Sequence, residues 1–143
     1  YTQGGAIEKG SKSGVWSDFL GTRDVIKVTR RIDIDHTHMG ISELYLPQAR
    51  APGLLGLRPK ALENVNIRAL MAQRFGIVTE RVRELVDCQP LPPMVTEALG
   101  QQRGAVGLAY HMEGFEPRDR PISYQVAWFP PGGPRLVLGE KHE

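Results

Sequence analysis

The sequence predicts an α+β domain, a mostly antiparallel sheet with flanking helices, and three observations carry that prediction. Six segments have strand composition, and two have helix start and stop signals. The last three strand segments follow one another with only turn-forming residues between them. The 143 residues suffice for one domain with a real core, and 41% hydrophobic with 24% charged residues lies near the globular average.

The first strand is expected at Val25 to Ile34, "VIKVTRRIDI", where β-branched residues are dense and turn-formers bound the run. Ile41 to Pro47 is a second, stopped by Pro47, and the Pro- and Gly-rich "QARAPGLLGLRPK" is a loop. A helix follows, capped by Asn64 or Asn66 and stopped by Gly76. In the strand from Ile77 to Cys88, Val82, Glu84, Val86 and Cys88 share one face. Arg81, Arg83 and Leu85 share the other, read as a solvent face, while Cys88 is expected to be a buried structural thiol. Pro92-Pro93 starts a short helix ended by Gly100, since a missing N–H costs nothing in the first turn. Gly104 to Glu113, Pro121 to Phe129 and Arg135 to Gly139 complete the order β-β-α-β-α-β-β-β. The head "YTQGGAIEKGSKSG" is Gly- and Ser-rich and is expected to be flexible. Residues 1–20 are thus assigned to a linker remnant from an absent N-terminal domain, with Trp16 docking onto the domain or stacking on a ligand. Residues 21–143 are assigned to the folded domain.

Composition excludes several functions. A net charge of +2 with no basic run longer than two residues gives no electrostatic footprint for nucleic acid. The single Cys88 rules out an internal disulfide framework and fits a reducing, cytoplasmic setting. No apolar run approaches the ~20 residues that a membrane helix needs. A Walker-type phosphate loop and a Gly-x-Ser-x-Gly elbow are both absent, so no cofactor and no nucleophilic catalysis are expected.

The cluster Asp33-Ile34-Asp35-His36-Thr37-His38 invites a metal reading. On an extended strand Asp33 and Asp35 lie on one face and His36 and His38 on the other, so the ligands do not converge. A solvated hairpin tip uses the same residue types, and that reading is preferred; no metal is expected.

Taken in order, "GISELYLP", "ENVNIRALMAQRFGIVTERVRELVDCQPLPPMVTEALG" and "RPISYQVAWFPPGG" resemble the UTRA domain of HutC-type GntR-family bacterial transcription regulators. The resemblance runs from about Val25 to Leu138. It implies a chorismate-lyase-like fold, a small-molecule effector, a homodimer, and DNA contact only through an absent N-terminal winged-helix domain. By position it implies Arg31 as an anion-pairing residue, Asp33 in place of a second Arg, and Ser42 or Glu43 at an acidic position. Asn66 falls at the helix start, and Ser123, Gln125 and Phe129 in the last hairpin. Asp33 in place of a guanidinium argues against a sugar phosphate. The neutral Ser123 and Gln125 beside the Phe129 ring suit a less charged, ring-containing or carboxylate metabolite. A lyase-like enzyme and a domain kept only for dimerisation stay open as alternatives, and a non-enzyme is expected.

Overall fold

Strand register sorts the apolar residues of this chain into two clusters, one on each face of a single sheet. The computed structural model describes residues 2–34 and 38–132. Its elements are β1 (Thr2–Gly10), α1 (Val15–Leu20), β2 (Val25–Ile34), β3 (His38–Pro47), α2 (Ile67–Phe75), β4 (Arg81–Pro90), α3 (Pro93–Ala98), β5 (Val106–Glu116) and β6 (Arg120–Phe129). The six strands pair antiparallel in the order β1-β2-β3-β6-β5-β4. The α+β expectation therefore holds, with the strand bounds shifted by a few residues.

The two faces follow from alternation. On the first, Ile26, Val28, Leu44 and Leu46 pack beneath α2 and the segment 48–62. That segment, expected to be a plain loop, forms three short 3-10 turns, and Ala51, Leu54 and Leu62 seal the core from it. On the second face, Val25, Ile41, Tyr45, Val126 and Trp128 pack beneath α1 and α3. A β-bulge between Gly114 and Phe115 lets Ile122 join the first cluster although Tyr124 and Val126 join the second.

Four expectations are corrected. The Gly-rich head is not a flexible linker, because residues 2–10 form edge strand β1 on β2, with Ile7 packed on the core. The backbone ladder to β2, the packing of Ile7 and the Glu8–Lys27 ion pair together override weak strand propensity. Residues 15–20, expected as linker, form α1, while Trp16 docks onto the domain as expected, stacking on Tyr45 with ring centroids 4.4 Å apart and planes 6° from parallel. Cys88 is exposed, because β4 is an edge strand with solvent on both faces. Residues 77–80 are not strand; Ile77 is buried in the first cluster and β4 begins at Arg81. Arg81 and Arg83 do lie outward, paired with Asp119 at 3.0 Å and Glu113 at 3.7 Å. The tip of the β2–β3 hairpin, residues 35–37, and the strand expected at 135–139 lie outside the described residues.

Candidate functional site

A cleft on the first face is built from β2, the start of α2, β5 and β6. Alternation in phase with Ile26 and Val28 turns Arg30 onto this face, where it is 8% exposed. Its Nη1 donates to the Val65 carbonyl at 2.9 Å and to the Leu62 carbonyl at 3.4 Å. Burial pulls its pKa down, yet an arginine starting above ~12 stays charged at neutral pH.

Those carbonyls lead into α2. Asn66 caps the helix, its Oδ1 accepting from the backbone N–H groups of Arg68 at 3.1 Å and Ala69 at 3.2 Å. Gly76 ends the helix with φ 65°, a left-handed conformation that favours glycine. Arg68 reaches across to Met112 of β5, with Nη2 3.6 Å from the sulfur. Gln125 of β6 donates from Nε2 to the Ser42 hydroxyl of β3 at 2.8 Å.

The outer part of this cleft holds about 470 Å3, lined by Arg30, Asn66, Arg68, Met112 and Gln125 among others. Its inner end, at Ser123, Gln125 and Leu44, narrows to about 10 Å3. Two guanidinium groups and the positive end of a nine-residue helix favour an anionic group at the mouth. Gln125 and Ser123 supply neutral donors and acceptors further in, with the buried Ser42 behind Gln125. Among the described residues no group of three or more His, Cys, Asp or Glu side chains could hold a metal ion.

The structure divides the eight sequence-predicted site residues. Asn66 and Gln125 line the outer cleft, Ser123 its inner end, and Ser42 bonds to Gln125. Phe129 is buried against Gly40 and lines neither part. Arg31 is turned to the second face, where its Nη2 donates to the Ala98 carbonyl of α3 at 3.1 Å. Asp33, two residues along the same strand, shares that side. Glu43 is also there: its Oε1 accepts from Trp128 Nε1 at 3.3 Å and its Oε2 from the Tyr45 hydroxyl at 3.1 Å. Arg31, Asp33 and Glu43 thus fall one residue out of phase with the cleft. Arg30 and Arg68 were missed, and the phase of Arg30 with Val28 was the signal that could have found the first.

The residues 17–132 match the family model of the UTRA domain. Among solved structures, the chain is similar to a GntR-family transcriptional regulator from Bacillus cereus at 13% identity, covering 99% of this chain and 98% of that one with a TM-score of 0.77. It is similar to the effector domain of PhnF from Mycobacterium smegmatis at 19% identity, over 91% and 80% of the two chains, with a TM-score of 0.73. Against the structure of PhnF itself the identity is 17% and the TM-score 0.76, covering 99% of this chain but 63% of that one. No match was found among curated proteins. At these identities the solved structures establish the fold, and the family model establishes the kinship: the chain belongs to the UTRA domain family, as an effector-binding regulatory domain with an antiparallel α+β fold.

Proposed function

We propose that the first-face cleft binds a small anionic metabolite, a carboxylate in preference to a sugar phosphate, and that its occupancy regulates DNA binding by a winged-helix domain joined upstream. The single observation that carries this is Arg30, a nearly buried guanidinium held at the mouth of a cleft beside the capped start of α2. Such a group in an apolar setting recognises planar anions by paired hydrogen bonds. Gln125, which lines the roomy outer part, is neutral, which favours one charged end and a less polar body.

In this reading the chain works as a homodimer in the bacterial cytoplasm, within a HutC-type GntR regulator, and without catalysis. PhnF extends beyond the part this chain matches, which supports a further domain; in this reading it lies upstream and is joined through β1 and α1. No helix of the described residues is long and apolar enough to cross a membrane. The effector changes DNA affinity only as far as it distinguishes two arrangements of the paired domains.

The test is a thermal-shift screen of the chain against carboxylates, amino acids, sugar phosphates and aromatic acids. A ligand at ~100 times its dissociation constant adds roughly 2.7 kcal/mol of stability. A shift confined to carboxylates supports the reading; a panel without any shift overturns it.

A further inference from the structure

The second face of the sheet carries a cavity that the cleft does not explain. It holds about 500 Å3, within the range of small-molecule sites, and lies between α1, α3 and the strands. Trp16, Tyr45, Tyr124 and Trp128 contribute its aromatic walls, with Val126 and Met94 beside them. Both tryptophans of the chain are therefore in this one cavity. In its floor lies the Glu43 carboxylate, 7% exposed, held by Tyr45 and Trp128. Burial and the neighbouring Glu43 charge raise the Tyr45 pKa, so its hydroxyl remains a donor.

From this geometry we infer that the second face binds a small organic cation with an apolar body, an arylalkyl-ammonium, separately from the anion cleft. Charge decides the sign. Lys27, itself on the cavity wall, has its Nζ 3.3 Å from the half-exposed Glu8 outside the cavity and 3.6 Å from Glu43, so its ammonium is divided between two carboxylates and does not neutralise Glu43 alone. His111 is engaged on both ring nitrogens, with the Tyr124 hydroxyl at 2.5 Å and Asp87 at 3.0 Å. An ammonium adds a favourable charge contact with the Glu43 carboxylate and gains from the ring faces, whereas a neutral occupant has neither contribution.

The test is a charge series on one molecular body: phenethylammonium, 2-phenylethanol and 3-phenylpropionate, titrated against intrinsic tryptophan fluorescence. The cation is expected to bind about tenfold more tightly than the alcohol, as cation–π and carboxylate contacts of moderate exposure allow. The propionate is expected not to bind here. Glu43→Gln removes the preference for the cation over the alcohol. Should that variant fail to fold, Met94→Arg places a positive charge on an exposed residue at the cavity. It is expected to weaken the cation several-fold and leave the alcohol unchanged. Equal binding of cation and alcohol, preference for the propionate, or indifference of the cation to Met94→Arg overturns the inference. Fluorescence that follows protein concentration alone would assign the cavity to a second copy and overturn it equally.

Discussion

Asn66 is both the cap of α2 and a wall of the cleft, and two substitutions separate these roles. In Asn66→Ala, the N–H groups of Arg68 and Ala69 lose their acceptor. Losing a cap of this kind costs about 1 kcal/mol, within ~0.5–2. For a domain of this size that lowers the unfolding midpoint by about 3–5 °C. Asn66→Asp keeps an acceptor in place and adds a negative charge at the positive end of the helix. Its stability is expected within about 0.5 kcal/mol of the unsubstituted chain, or above it. An anionic ligand at the same helix start now meets a like charge. At ~4 Å the repulsion lies between about 1 kcal/mol in water and 4 kcal/mol at a protein surface. With 1.4 kcal/mol per factor of ten, affinity should fall by roughly fivefold to several hundredfold. Thermal unfolding without ligand and calorimetric titration with the best carboxylate from the screen measure the two effects apart. If Asn66→Asp bound that carboxylate as tightly as Asn66, the anion would not sit at the start of α2, and the placement would be refuted.

Three further outcomes are expected. Arg50 bonds both Glu116 carboxylate oxygens, at 2.8 and 2.5 Å, and holds that carboxyl below its usual range. A pKa depressed in the folded state stabilises fully above the unfolded value near ~4.3 and is lost as pH falls through the folded value. Stability measured by urea unfolding should therefore fall less steeply below about pH 4.5 in Glu116→Gln than in the unsubstituted chain, and parallel curves would contradict this. At Gly40, an added Cβ would stand 2.6 Å from a Phe129 ring carbon and 2.9 Å from the Trp128 carbonyl oxygen. Gly40→Ala should cost about 1–3 kcal/mol by chemical denaturation, with no loss marking the Phe129 contact as loose. Cys88, exposed on β4, should react with a thiol reagent in the native chain at close to its rate in urea, whereas protection of tenfold or more would show it covered.

Much of the fold was legible because it rests on local chemistry. The limits of β2, the Asn66 cap, the Gly76 stop and the Pro-initiated α3 are all written in single residues. What escaped was set by tertiary context. β1 owes its place to the edge of β2 and not to its own Gly-rich composition, and Cys88 is exposed because, among the described residues, little packs on either face of β4. The residue types of the candidate cleft were legible, but not the phase that decides which of them face it. In "VIKVTRRID", Val25 and Ile26 are both buried, one in each cluster, so the strand face cannot be fixed from them alone. A slip of one residue exchanges Arg30 for Arg31 and sends every side chain to the other face. The same ambiguity in "ISELYLP" hides that Ser42 looks to the cleft side while Glu43 lies among the aromatic rings.

That exchange is also the most direct test of the account. The carboxylate that gives the largest thermal shift should be titrated calorimetrically into Arg30→Ala and Arg31→Ala, well below both unfolding midpoints. Losing a charge-assisted contact of about 1.5–3 kcal/mol predicts roughly 10- to 100-fold weaker binding to Arg30→Ala. Arg31→Ala, whose guanidinium holds the Ala98 carbonyl on the other face, should bind within about twofold of the unsubstituted chain. Weakened binding in Arg31→Ala with full affinity in Arg30→Ala would place the effector on the second face and contradict the account.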